Sequence, residues 1–346
     1  MRAVVFAGEG SVEVADVPEP AIQDPGDAIV RVTCTAICGS DLHMVHQKVP
    51  VDLGGVMGHE VVGVVEEIGD AVTRVAVGDR VVASFHIACG ACWFCERGRT
   101  SLCEDHRILG AGPFGGDLPG AQAELVRIPV ADVNLLAVPD EVDDERAVFV
   151  GDVLTSGLYA AALADPGPDD TVAVVGLGPL GFCTVQALRA AGCDRVFAID
   201  RDEERLRLVE SNGVIPVDVD RVNPEMVLAR ATQDRGADVA VDAVGAPSAY
   251  ATSTDVVRRG GRVVVMGTYA GEIVELQLGV YWARALEIRF GGEAPVHAWW
   301  ERTMDELVAG RLDPTPLVSH RLPLEEAPSA YEVFERREAT KVLLRP

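Results

Sequence analysis

Four cysteines lie within fifteen residues in the pattern Cys89-x2-Cys92-x2-Cys95-x7-Cys103. Four thiolates from one short loop can close a tetrahedron around Zn²⁺ and leave no open position, which is the logic of a structural site. The intervening chain, GACWFCERGRTSLCE, is rich in glycine and charge, so a metal would replace a hydrophobic core there. Cysteine ligands also serve iron–sulfur clusters, and exposed thiols can sense redox state; both readings compete with zinc. A second donor set is dispersed: Cys38 in ICGSDLH, His59 and Glu60 in GHE, and Asp152 in GDVLTSG. One thiolate, one imidazole and one carboxylate can hold Zn²⁺ and leave a fourth position for water or substrate. A hydroxyl held at such a position is acidified, which prepares an alcohol carbon to give up hydride. Taken singly, a cysteine is more often buried packing, and a histidine is as often a hydrogen-bonded structural residue.

Hydride needs an acceptor. Residues 171–181 read TVAVVGLGPLG, an apolar run leading into Gly176, Gly178 and Gly181 in G-x-G-x-x-G spacing. The first glycine permits a tight turn, the second a close approach to a pyrophosphate, and the third close packing of helix on strand. The N-terminus of the following helix offers free N–H groups to phosphate. A second apolar run ends at Asp200, nineteen residues after Gly181, where a carboxylate should accept hydrogen bonds from a ribose and repel a 2′-phosphate. NAD is therefore expected over NADP, although Arg201 and Arg205 nearby could tolerate the extra phosphate. The plainer role for Asp200 is a helix N-cap.

These residues need two scaffolds. At roughly 150 residues per domain, the 346 residues suffice for two domains. Residues 1–150 read as mostly β, with short valine-rich runs at 61–65 and 80–83 broken by Gly, Pro and Asp. From 151 to 290, apolar strands at 172–175, 196–199, 239–243, 263–266 and 286–290 alternate with helical stretches at 180–191, 202–211 and 248–258. That alternation implies an α/β doubly wound parallel sheet. Residues 291–346 show one helix, 298–309, and a final strand, 341–344; too short to fold alone, this tail is assigned to the first domain.

Composition narrows the class further. No apolar run approaches the ~20 residues of a membrane helix, and the N-terminus lacks a signal pattern, so a cytoplasmic location is expected. A net charge of −24 disfavours nucleic acid and anionic membranes as partners. Only Lys48 and Lys341 are lysines, which fits either arginine-favouring codon usage or a salt-adapted acidic surface.

Across nearly its whole length the sequence resembles the zinc-containing medium-chain alcohol dehydrogenase family. The resemblance is carried by 38–43, 58–60 with Gly63, the cysteine loop, Gly176–Gly181 with Asp200, and FGG at 290–292. It implies a GroES-like β domain, 1–150 with 291–346, and a Rossmann NAD-binding domain, 151–290. It also implies Cys38 and His59 as catalytic-zinc ligands, with Glu60 as an exchanging ligand. Ser40 would take the alcohol proton, and His43 would pass it on through the cofactor ribose. At the third ligand place stands Asp152, which resembles the branch of the glutathione-independent formaldehyde dehydrogenases. Gly39 replaces an arginine that binds pyrophosphate in some relatives, and Lys341 matches a basic position that reaches the pyrophosphate. Ser156 and Leu180 match positions near the nicotinamide. Phe85 matches a pocket wall suited to primary or aromatic alcohols, or is ordinary core. The expected protein is a zinc enzyme with two Zn²⁺ per chain, oxidising alcohols or reducing aldehydes and ketones with NAD(H). A polyol or threonine-type dehydrogenase is the near alternative. A non-catalytic zinc protein, structural or redox-sensing, is the distant one, and a proton relay argues against it. The short stretch between Cys103 and Asp152 resembles tetrameric relatives, so a homo-tetramer is expected over a dimer. The contact between copies is expected at strand 262–266, read as the sheet edge.

Overall fold

The computed structural model describes residues 1–346. The chain divides into two compact units, Met1–Thr155 with Pro295–Pro346, and Ser156–Ala294. The helix Val153–Ala164 carries the chain from one to the other.

The second unit is a six-stranded parallel sheet. In spatial order its strands are Ile215–Asp218, Arg195–Asp200, Thr171–Val175, Ala237–Asp242, Val257–Val265 and Glu287–Phe290. In chain order this is 3-2-1-4-5-6, the doubly wound arrangement, whose order reverses beside Thr171–Val175. That central strand is buried at every residue, as a strand covered on both faces must be. The strand Ile215–Asp218 and the helix Pro224–Ala231 were not read from the sequence. The strand is short, half exposed and contains Pro216, which is tolerated at an edge but hides the apolar signal. The expected edge strand is also corrected. Val257–Val265 pairs on both sides, and Glu287–Phe290 is the edge.

The first unit is built on a mostly antiparallel seven-stranded sheet. Ala28–Ile37 lies near its centre, flanked by Lys341–Arg345 and Glu60–Ile68. The C-terminal tail thus closes the sheet that begins near the N-terminus. That tail holds more than one helix and one strand: Val318–Pro323 and the helix Ala327–Glu335 also form. Val318–Pro323 alternates half-buried with exposed residues at a sheet edge, so it lacks a hydrophobic run. No helix is long and apolar enough to cross a membrane.

Candidate active site

Residues distant in sequence meet at one end of the first unit's sheet. Cys38 ends the extended run after Ala28–Ile37 and leads into the short helix Gly39–Val45. His59 immediately precedes the strand Glu60–Ile68. Gly58 fixes the approach: its φ is +90°, and a Cβ there would lie 2.3 Å from Gln122 Cγ. Asp152 comes from the turn before the helix Val153–Ala164.

One donor atom each from Cys38, His59, Glu60 and Asp152 lies within 4.8 Å of the others. Asp152 Oδ2 is 3.8 Å from Cys38 Sγ and 3.5 Å from His59 Nε2. Ser40 Oγ stands 3.2 Å from both Cys38 Sγ and His59 Nε2, against the same donors. His43 is half-buried on the helix Gly39–Val45.

Asp41 is a site residue that sequence reasoning passed over. It is fully buried. Its Oδ1 lies 3.2 Å from His59 Nδ1, and its Oδ2 accepts the Cys38 backbone N–H at 2.9 Å. A carboxylate on the far nitrogen orients the imidazole and leaves Nε2 turned to the other donors. Gln122 supports it: its Nε2 donates to Asp41 Oδ2 at 3.4 Å and to Ala36 O at 3.1 Å, while Tyr331 donates to Gln122 Oε1 at 2.9 Å. The only cue in the sequence was its place beside Ser40 in ICGSDLH.

The electrostatics call for a cation. Burial alone would lower the His59 pKa, but the charge of Asp41 and hydrogen bonds to Asp152, Asp41 and Cys38 outweigh it and raise the pKa well above the ordinary value. A proton there does what a metal ion among the same donors would do, so the donor set fits Zn²⁺. Burial pushes Glu60 up to about 7 against the opposing pull of Lys341.

Lys341, matched to a basic position that reaches the pyrophosphate, pairs with a site carboxylate in this structure. It is fully buried, and Nζ donates to Glu60 Oε1 at 2.6 Å, with Oε2 also in contact. Its partner in this structure is a site carboxylate, because strand Lys341–Arg345 pairs with Ala28–Ile37, which in turn pairs with Glu60–Ile68.

Phe85 is half-buried beside this cluster, its ring centroid 6.3 Å from His59 edge-on and 4.7 Å from His86. It also packs against a buried hydrophobic cluster, so wall and core are both descriptions of it. His86 is buried, with Nε2 3.4 Å from Thr100 Oγ1 and its ring 4.9 Å from that of His297. His297 Nε2 lies 2.8 Å from Asn134 Oδ1. Burial pushes His297 down to about 4, and burial with the neighbouring histidine charges holds His86 well below the usual value. The unfolded chain takes up protons near the ordinary histidine pKa of about 6.5, whereas folded His297 resists until about pH 4. Stability from this residue is complete above ~6.5 and falls by about 1.4 kcal/mol per pH unit below it. His297→Gln, which can still donate to Asn134 Oδ1, should therefore flatten the loss of stability between pH 6.5 and 5 by about that slope. Urea unfolding of zinc-loaded protein at both pH values checks this; parallel pH dependences for the two proteins would contradict it.

The cysteine loop forms a separate cluster. Donor atoms of Cys89, Cys92, Cys95 and Cys103 lie within 4.8 Å of one another, and all four are free thiols. Cys92 Sγ is 3.5 Å from Cys95 Sγ and 4.0 Å from Cys103 Sγ. Backbone hydrogen bonds from Glu104, Cys95 and Phe94 push Cys92 down to about 6, toward the thiolate that a metal requires. The arrangement fits a closed tetrahedral ion.

In the second unit, Gly176 follows the central strand at φ +89°. A Cβ on Gly181 would lie 1.8 Å from Gly176 O, so the turn and the helix Pro179–Ala190 pack too closely for a side chain. Gly178 caps that helix without a side-chain bond, which leaves its first N–H groups available. Asp200 accepts from Leu177 N at 2.6 Å and Arg201 N at 2.7 Å. The helix N-cap is Asp202 instead, accepting from Glu204 and Arg205. Arg205 Nη1 lies 3.9 Å from where a Gly178 Cβ would stand, while Arg201 is exposed. Leu180 and Ser156 are half-buried, in the first turn of Pro179–Ala190 and within Val153–Ala164.

A doubly wound unit with this glycine turn, and a β unit with two metal-grade donor clusters, define the class of zinc-type dehydrogenases. Residues 24–140 match the alcohol dehydrogenase GroES-like domain, and residues 179–306 match the zinc-binding dehydrogenase domain. An uncharacterized zinc-type alcohol dehydrogenase-like protein of Bacillus subtilis is 35% identical, covering 100% of both chains. The alcohol dehydrogenase of Thermus sp. ATN1 superposes with a TM-score of 0.95 at 42% identity, covering 100% of this chain and 99% of that one. A glutathione-independent formaldehyde dehydrogenase of Pseudomonas aeruginosa is 30% identical over 100% of this chain and 97% of its own. The chain belongs to the zinc-containing medium-chain alcohol dehydrogenase family. It is a zinc-dependent alcohol oxidoreductase.

Proposed function

We propose that the protein transfers hydride between a primary or aromatic alcohol and NAD, with Cys38, His59 and Asp152 holding a catalytic zinc. The carrying observation is the convergence of those three donors, with Ser40 Oγ 3.2 Å from two of them. When bound, zinc supplies Lewis acidity to the alcohol oxygen, and the dinucleotide supplies the hydride acceptor. Ser40 receives the hydroxyl proton and His43 passes it towards solvent. Glu60, paired with Lys341 here, would be the carboxylate available to exchange as a ligand, and Asp41 fixes the His59 ring. Asp152 replaces a second thiolate with a harder oxygen, which aligns the chain with the formaldehyde dehydrogenase-like branch. Phe85 forms the apolar side of the pocket. Cys89, Cys92, Cys95 and Cys103 hold a second, structural zinc.

Gly176, Gly178, Leu180 and Gly181 cradle the dinucleotide with Ser156, and Asp200 reads its ribose. A carboxylate beside a 2′-phosphate is repulsive, so NAD should exceed NADP by more than tenfold in catalytic efficiency, an energy above about 1.4 kcal/mol. Asp200→Ser should relax the preference, assisted by Arg201 and Arg205. Steady-state kinetics with both cofactors over a panel of alcohols tests the reading. Equal efficiency with NAD and NADP would contradict the assignment of Asp200, and no alcohol-dependent reduction of either cofactor would contradict the function.

The protein is further read as a homo-oligomer, a tetramer on the strength of the short stretch after Cys103. The unpaired edge strand Glu287–Phe290 and the exposed Ile273, Trp282 and Phe290 supply a face that a second copy would cover.

A further inference from the structure

Asp242 ends the fourth strand of the parallel sheet in chain order, next to the central one, and it is fully buried. A buried carboxylate must be satisfied, and this one is met from two loops. Its Oδ1 accepts the backbone N–H of Val244 at 2.9 Å and of Gly245 at 3.3 Å, from the loop after its own strand. Its Oδ2 accepts the Tyr269 hydroxyl at 2.5 Å, from the loop after the next strand, Val257–Val265. The Asp242 backbone carbonyl accepts from Met266 and Gly267 in that same second loop, at 2.9 and 3.0 Å.

The two loops are also in close contact. A Cβ on Gly245 would lie 2.3 Å from Thr268 O, and one on Gly267 would lie 1.9 Å from Gly245 N. The first loop reaches the glycine turn as well. Val244 Cγ2 lies 2.1 Å from where a Gly176 Cβ would stand, and Ala243 Cβ lies 3.5 Å from the corresponding point on Gly181. Three loops at the carboxyl ends of three adjacent strands thus meet where the strand order reverses, the place at which doubly wound sheets bind their ligands. Val244 stays about half exposed there.

We propose that Asp242 and Tyr269 are positioning residues for the dinucleotide: their hydrogen bond locks the 243–246 and 266–269 loops together and holds Val244 against the glycine turn. The proposal rests on the reading of this turn as the NAD site. Neither residue touches the reacting atoms. Releasing the lock frees the wall beside Gly176 while leaving the glycines, Asp200 and the metal donors untouched. Dinucleotide binding should weaken, and the alcohol's own KM should not.

Asp242 is fully enclosed, so its removal threatens the fold; Tyr269→Phe deletes one hydroxyl at a half-buried position and carries the test. NADH binding to the zinc-loaded enzyme is titrated by nicotinamide fluorescence, and KM is measured separately for NAD and for the alcohol. Loss of a hydrogen bond to a charged acceptor should raise the NADH Kd and the NAD KM about tenfold, with the alcohol KM within about twofold of wild type. Tyr269→Leu, which has no donor to place on Asp242, should behave like Tyr269→Phe. Wild-type NADH affinity in Tyr269→Phe would overturn the proposal, as would equal rises in both KM values. A wild-type enzyme that does not bind NADH would instead overturn the cofactor reading on which the proposal stands.

Discussion

Cys38→Ser should lower kcat/KM for alcohol oxidation by at least about 10³-fold while leaving the protein folded. A metal acting as a Lewis acid is worth several kcal/mol to such a reaction, and about 4 kcal/mol corresponds to that factor. The substitution is nearly isosteric, and it keeps the backbone N–H that Asp41 accepts at 2.9 Å. What it removes is the sulfur that lies 3.8 Å from Asp152 Oδ2 and 3.2 Å from Ser40 Oγ. A hydroxyl is a much poorer ligand than a thiolate, so the variant should also carry less zinc than wild type. Activity within tenfold of wild type, in a variant of unchanged metal content, would show that Cys38 is not a ligand of the working site.

Lys341→Met should be the most destabilising single change at the site. Lys341 and Glu60 are both fully buried, and Glu60 accepts from the ammonium at 2.6 Å. Removing one partner of a buried pair strands the other charge, at a typical cost of about 3–5 kcal/mol. For a protein of this size that corresponds to a fall in Tm of roughly 4–7 °C. The sign of its pH dependence follows from Glu60. Burial pushes Glu60 up to about 7 even with Lys341 present, and without Lys341 it rises further. A neutral Glu60 needs no counter-charge, so the deficit should be larger at pH 8 than at pH 6. Glu60→Gln in the Lys341→Met background should restore much of the lost stability. Melting curves of the two variants and wild type at both pH values check this. A Tm unchanged by Lys341→Met, or a deficit that grows on acidification, would contradict it.

These two residues also mark what could be read from the sequence. The glycine turn was legible because its function requires small residues at fixed local spacing, and Gly176 and Gly181 pack so closely that no side chain fits between them. The cysteine loop was legible for the same reason: one short segment supplies all its ligands. The dispersed donors Cys38, His59 and Asp152 could be grouped by donor chemistry, but nothing in their spacing brings them together, and their roles rested on family resemblance. Lys341 lies 281 residues from Glu60, and its pairing depends on the register of three strands. Asp41 stood in plain view beside Ser40, yet its role depends on which face of a two-turn helix meets His59. Among the elements missed, Ile215–Asp218 and Val318–Pro323 are edge strands with polar or proline residues, where burial leaves little pattern to read. The misplaced sheet edge had a related cause. Glu287–Phe290 is short and exposed at both ends, so the more apolar Val257–Val265 drew the assignment.

On the function proposed above, the two donor clusters would hold two ions with different duties, one closed and structural, one open and catalytic. Zinc content per chain, measured together with alcohol-dependent NAD reduction during graded chelation, tests it most directly. Two zinc ions per freshly purified active chain are expected. The first to leave should take turnover with it, while the fold persists and activity returns on adding Zn²⁺. An active preparation with one zinc or none, or turnover that survives loss of the first ion, would contradict the account.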